Sequence, residues 1–219
     1  CCLQRCWWIT MHGDFLMNKR NAIKSIAACA MMLASTVLFT ACSEQKPAFA
    51  AIDVTGADYA KDFSLTDHNG QARSIKDFQG KVVVMFFGYT QCPDVCPTSM
   101  AEIAEVRKQL GKDGEKVQAL FVTVDPERDT PEVLKGYMGN FDPTFLALYA
   151  TPDKLAATAK DFKVYYKKVE GKTPTSYTMD HSAGSYIYDT KGALRLYTRY
   201  GTGVQPLVSD IKLLLKEAS

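Results

Sequence analysis

Gly80-Lys81 opens onto Val82-Val83-Val84-Met85-Phe86-Phe87, an unbroken apolar run that stops at Gly88. Its length, its β-branched and aromatic residues and the lack of polar alternation predict a central strand buried on both faces. Such a strand needs layers above and below it, which points to a sheet covered by helices. The loop Gly88-Tyr89-Thr90-Gln91-Cys92-Pro93-Asp94-Val95-Cys96-Pro97 follows at once. Ser99 with Glu102 fits a capping box, and Ile103, Val106 and Leu110 recur at helical spacing. The cysteine loop therefore joins a buried strand to a helix.

On the N-terminal side, Phe63 and Leu65 alternate with polar neighbours, and Asp67-His68-Asn69-Gly70 carries the Asn-Gly signal of a tight hairpin before residues 72–75. After the cysteine helix, residues 117–124 form a second apolar strand. Thr130 and Pro131 are good N-cap and first-turn residues for a helix to about Met138. A strand over 145–149, a helix from Thr151-Pro152 to about Phe162 and an extended stretch over 164–169 come next. A hairpin of 186–188 and 194–198 around Asp189-Thr190-Lys191-Gly192 and an amphipathic helix over 205–216 close the chain. Strands alternating with helices, then a hairpin and a last helix, describe an α/β sandwich with a mixed sheet, opened by an N-terminal β-hairpin. No internal repeat or low-complexity segment interrupts it.

The first 50 residues differ in kind. Residues 1–10 hold three cysteines and two tryptophans in no recognisable pattern and read as translated upstream sequence, with Met11 or Met17 as the start. From Met17 a basic stretch (Lys19, Arg20, Lys24) precedes an apolar run over 25–39 and Thr40-Ala41-Cys42, the layout of a secretory signal. As a helix that run would reach roughly 22 Å, short of the ~30 Å hydrocarbon core. Small residues before Cys42 resemble a lipoprotein cleavage box, although Phe39 stands where a smaller aliphatic residue is usual. Lipidation of Cys42, cleavage after Ala50 and an uncleaved anchor are the three readings. The expected division is 1–42 upstream sequence and export signal, 43–57 tether, and 58–219 folded domain, held on the periplasmic side of a bacterial membrane.

Removing residues 1–42 takes away four basic side chains and one acidic one and leaves a nearly neutral domain, with its basic residues scattered. That excludes a nucleic-acid footprint. Of seven cysteines, Cys92 and Cys96 remain, too few for a disulfide scaffold and read as a redox or metal pair. Each precedes a proline, which disfavours helical backbone, so neither is expected inside a regular helix. Pro93 and Asp94 suit a turn that folds the chain back and brings the sulfurs toward one site. A helix N-terminus next to the loop favours thiolate, a soft ligand that selects Cu(I), and an imidazole can complete a three-coordinate site. Pure thiol redox chemistry is the competing reading, though thioredoxin-type enzymes usually space their cysteines by two residues and here there are three. Buried structural cysteines are the bland one.

His181, in Met179-Asp180-His181-Ser182, is either a structural hydrogen-bonder or the third ligand if its loop meets the cysteine loop at the sheet edge. Asp180 could orient its ring, although an exposed, solvated carboxylate is its plainer reading. His68, in the predicted hairpin turn, is read as structural.

Three motifs, Cys92-Pro93-Asp94-Val95-Cys96-Pro97, Asp125-Pro126-Glu127-Arg128-Asp129-Thr130 and Asp180-His181-Ser182, stand in the order and spacing of the Sco/SenC family, which the chain resembles from about Asp58 onward. The resemblance implies a thioredoxin-like fold and copper, as Cu(I) or Cu(II), bound by Cys92, Cys96 and His181. It further implies a role in assembling the Cu-A centre of cytochrome c oxidase, with the Cu-A subunit or another copper chaperone as partner. Asp125 to Thr130 is then a family signature outside the ligand set. The alternative is a thiol-disulfide reductase that keeps the Cu-A cysteines reduced, with Cys92 and Cys96 as its redox pair.

Overall fold

A computed structural model describes residues 48–173 and 176–217. The predicted signal, both candidate start methionines and Cys42 lie outside them. Among the described residues, besides two short 3-10 turns, there are ten strands and four α-helices: β1 (Ile52–Asp53), β2 (Leu65–Asp67), β3 (Ala72–Arg73), β4 (Val82–Gly88), α1 (Val95–Gln109), β5 (Val117–Thr123), α2 (Pro131–Gly139), β6 (Leu146–Tyr149), α3 (Pro152–Asp161), β7 (Tyr166–Glu170), β8 (Tyr177–His181), β9 (Ser185–Tyr188), β10 (Leu194–Thr198) and α4 (Val204–Lys216).

Eight strands form one mixed sheet in the order β1-β10-β9-β4-β5-β6-β2-β3. The all-apolar strand β4 lies inside it, parallel to β5 and antiparallel to β9, and every one of its residues is buried. β5 is likewise buried along its length and runs parallel to β6. Helix α1 turns Met100, Ile103 and Val106 inward, and α4 turns Leu207, Ile211 and Leu214 inward against it. The fold is thus the expected α/β architecture, a mixed sheet flanked by helices, and β2 and β3 pair as the N-terminal hairpin around the predicted turn. Gly70 takes φ +83 there, a value open to glycine at no steric cost.

Several boundaries moved for identifiable reasons. Helix α1 begins at Val95, one turn before the Ser99-Glu102 box, and the Ser99 hydroxyl instead donates to the Val95 carbonyl at 2.8 Å. Cys96, expected outside regular helix, therefore lies in the first turn. A proline there forfeits no helical hydrogen bond and its locked φ suits a helix, which outweighs the steric bias on the residue before it. The helix cap Thr130 does form, accepting from the Val133 N–H at 3.4 Å with Pro131 in the first turn.

The stretch over 164–169 finds a partner that the sequence did not announce. β7 pairs antiparallel with β8, from Tyr166 opposite His181 to Glu170 opposite Tyr177, as a two-stranded ribbon separate from the large sheet.

Packing also begins earlier than Asp58. β1 pairs with β10, and the backbone N–H groups of Ala50 and Ala51 each donate to the Asp210 carboxylate at 2.8 Å. Residues from about 50 onward, read as part of a tether, are thus held by the domain, because a carboxylate buried to 1% exposure in α4 requires donors. Asp210→Ala is expected to cost about 2 kcal/mol by leaving both amides without their charged acceptor, read from the midpoint of urea unfolding of the reduced protein.

Candidate metal centre

The end of β4, the first turn of α1 and the end of β8 meet at one edge of the domain and bring Cys92, Cys96 and His181 together. One ligand atom from each lies within 4.8 Å of the other two. A first-row ion with metal–sulfur bonds of about 2.3 Å and metal–nitrogen bonds of about 2.0 Å holds trigonal donors at comparable separations. The three residues singled out in the sequence therefore converge. Cys96 is fully buried, whereas Cys92 and His181 are half-buried, so the cluster is rooted in the core and open on one side.

The root is steric. Gly88 ends β4 beneath the Cys96 sulfur, and a Cβ there would stand 2.7 Å from Sγ, 2.8 Å from Phe86 and 2.9 Å from Phe121. A residue that reads as a strand terminator is required because nothing larger leaves room for the ligand.

The imidazole is oriented by the backbone. Its Nδ1 lies 2.9 Å from the Ser182 carbonyl oxygen and its Nε2 lies 3.4 Å from Cys96 Sγ. A carbonyl can only accept, so Nδ1 carries the proton and the Nε2 lone pair faces the cysteines. The Ser182 carbonyl thus takes the orienting role that Asp180 could have filled, and Asp180 is exposed. Phe86 and Tyr89 meet the ring edge-on at 6.0 and 5.9 Å. His68 is structural, its Nδ1 accepting from the Ala147 N–H at 3.1 Å.

Asp125 to Thr130 supports this cluster from beneath, a role that reading it as strand exit and cap did not reveal. Asp129, 2% exposed, accepts from the Thr123 hydroxyl at 2.6 Å and from the Thr90 amide at 3.1 Å and its hydroxyl. It so ties β5 to the cysteine loop. Asp125 accepts from Arg128 and, at 2.8 Å, from the Tyr177 hydroxyl. Two aspartates just before a helix cap were the available signal, but nothing local says that they point inward.

Burial overturns one electrostatic expectation. The helix N-terminus was to favour a thiolate, yet desolvation pushes the Cys96 thiol well above its ordinary range. With no solvent around the sulfur, loss of hydration exceeds what a helix terminus returns. A bound cation supplies the missing charge and reverses that preference.

The fold and the cluster define a class: a thioredoxin-like domain presenting two thiols and an imidazole that could hold a metal ion at one edge. A sequence model of the SCO1/SenC family matches residues 53–216. The chain belongs to that family, whose members handle copper for cytochrome c oxidase. It is 32% identical over 178 residues to a SCO2-like protein of Rickettsia felis, covering 78% of this chain and 87% of the relative. The solved structure of Bradyrhizobium japonicum ScoI with copper bound is 44% identical at a TM-score of 0.63, over 69% of this chain and 96% of that one. A SCO1/SenC family lipoprotein from Bacillus anthracis is 26% identical at a TM-score of 0.60, over 70% and 92% of the two chains.

A raised thiol pKa has a readable sign. The unfolded chain gives up the Cys96 proton near the ordinary value of 9.0 while the folded chain keeps it, so the unfolded state binds fewer protons above that pH and stability falls as pH rises. In the reduced, metal-free protein, urea midpoints should decline from about pH 9 upward. The pH 9–10 part of the decline should vanish in Cys96→Ser, beyond which the buried tyrosines act in the same sense. Iodoacetamide at pH 8, followed by peptide mapping, should label Cys92 well before Cys96.

Proposed function

We propose that the protein is a copper metallochaperone, which carries Cu(I) or Cu(II) on Cys92, Cys96 and His181 and delivers it to the Cu-A centre of cytochrome c oxidase. The observation that carries this reading is the convergence of two sulfurs and an Nε2 lone pair within 4.8 Å. Soft thiolates with one imidazole suit copper in both oxidation states better than they suit a closed four-ligand zinc site. Copper bound in the Bradyrhizobium japonicum relative supports the same cargo.

Delivery follows from the asymmetry of burial. Cys92 and His181 are reachable by an acceptor's ligands, and Cys96, at the floor, is the last to let go. Stepwise exchange moves the ion without releasing it to water, and each thiolate regains a proton as it is displaced.

A second reading, thiol-disulfide reduction of the acceptor's cysteines, draws on the proximity of the same two sulfurs. In that reaction Cys92 and Cys96 would give up two electrons and two protons to an acceptor disulfide and close their own. His181 separates the readings. His181→Ala should weaken copper binding by more than the 10–100-fold typical for losing an outer-sphere partner, while thiol reduction of a model disulfide changes little. Equal copper affinity in mutant and wild type, measured by competitive titration, would remove the imidazole from the ligand set.

We further propose that the domain works on the periplasmic side of a bacterial membrane, tethered through residues 43 to about 49 by lipid on Cys42. The small residues before Cys42 and the Bacillus anthracis relative, a SCO1/SenC family lipoprotein, support this reading. Intact mass of the protein extracted from its native membrane should show a diacylglycerol-sized addition at Cys42; an unmodified thiol there excludes this anchor.

A further inference from the structure

Cys92 lies on the loop that joins β4 to α1 and Cys96 lies in α1, whereas His181 is carried by neither the large sheet nor its helices. It ends β8, in a ribbon whose backbone pairing is to β7, with Ser182 continuing the pairing through its N–H to the Tyr165 carbonyl at 2.9 Å. The opposite end of β8 is Tyr177, about 13 Å away along a five-residue strand. A strand locked in register moves as a unit, so whatever holds Tyr177 also helps to place His181.

Tyr177 is held by Arg128. The guanidinium carbon lies 3.5 Å from the centroid of the Tyr177 ring, and Nη1 donates to the Tyr177 carbonyl at 2.9 Å. The same Nη1 donates to the Gln91 side-chain oxygen at 3.1 Å, next to Cys92. Nε pairs with Asp125, whose other oxygen accepts the Tyr177 hydroxyl at 2.8 Å. On its other side the guanidinium stands 5.8 Å from the ring of Tyr89, which itself meets the His181 imidazole edge-on. Nη2 is buried without a hydrogen-bond partner among the described residues, so the guanidinium keeps this position although one of its donor groups is unsatisfied.

We propose that Arg128 is a positioning residue for metal capture: by clamping Tyr177 and Gln91 to one guanidinium, it sets the His181 imidazole at its working distance from the cysteine pair. This rests on the reading of Cys92, Cys96 and His181 as copper ligands. Arginine suits the task because a planar fork stacks on an aromatic face while its edge donates in several directions. Lysine can satisfy one of these contacts at a time.

The test is a double-mutant cycle on the full chain, with Cu(I) affinity measured by competition with bicinchoninate and the Cu(II) complex examined by EPR and absorption. Arg128→Ala should lower Cu(I) affinity about tenfold in the wild-type background and leave it unchanged in the His181→Ala background, the coupling expected of two residues acting through one group. Histidine nitrogen coupling in the EPR signal should weaken while the sulfur-to-copper charge-transfer band persists, and Arg128→Lys should recover only part of both. Equal losses in the two backgrounds, or an Arg128→Ala protein with wild-type affinity and nitrogen coupling, would overturn the proposal. Should Arg128→Ala fail to fold, Tyr177→Leu reads the same coupling with the Arg128–Asp125 pair left in place. A His181→Ala protein that binds copper like wild type sinks the ligand reading itself, and the proposal with it, whatever Arg128→Ala does.

Discussion

The seating of the Cys96 sulfur beneath the end of the central strand is the contact on which the rest of the site depends. Because Gly88 has no side chain, the Cys96 sulfur, Phe86 and Phe121 can all crowd the space where its Cβ would stand, and the helix that carries the sulfur starts close to the strand's end. That position makes one residue part of the hydrophobic core and part of the chemical group at once. The cost is a thiol that resists ionisation until a cation arrives. A ligand buried in this way cannot drift, so the other two need only be brought to it.

They are brought by different means. Cys92 sits on a loop pinned through Thr90 to Asp129, which also holds Thr123 at the end of β5, so the loop is fixed to the core by one buried carboxylate. His181 sits on a ribbon outside the sheet, fixed at one end by Ser182 and Tyr165 and at the other by Arg128 and Asp125 through Tyr177. The site therefore has a rigid half made by packing and an adjustable half made by polar contacts. Packing contacts have few alternatives in a dense interior, whereas hydrogen bonds at a half-exposed edge can be exchanged for water. A chaperone of the proposed kind, which holds an ion and then gives it up, benefits from having both.

Much of this organisation was legible along the chain. The apolar run of β4, the cysteine loop after it, the Thr130-Pro131 cap and the Asp67 to Gly70 hairpin all declare themselves through local rules of burial, capping and turn chemistry. The ribbon did not: β8 alternates exposed Thr178 and Asp180 with more buried Tyr177, Met179 and His181, but five residues are too short a run to declare a strand, and its strand state is completed by pairing with β7. Nor did the start of α1, where burial of Cys96 overrode a capping box that was locally plausible.

From the order of residues alone came most of the element types, the pair of candidate soft ligands with a histidine 85 positions further on, and the motifs shared with one family. These are decided by near neighbours, and near neighbours are what a sequence displays. The tertiary structure alone decided that Nε2 of His181 faces Cys96, that Asp125 and Asp129 turn inward as supports, and that Arg128 joins the cysteine loop to the ribbon. Each of these joins residues 6 to 85 positions apart, and such pairs are chosen by the packing of the whole sheet, which no local preference encodes.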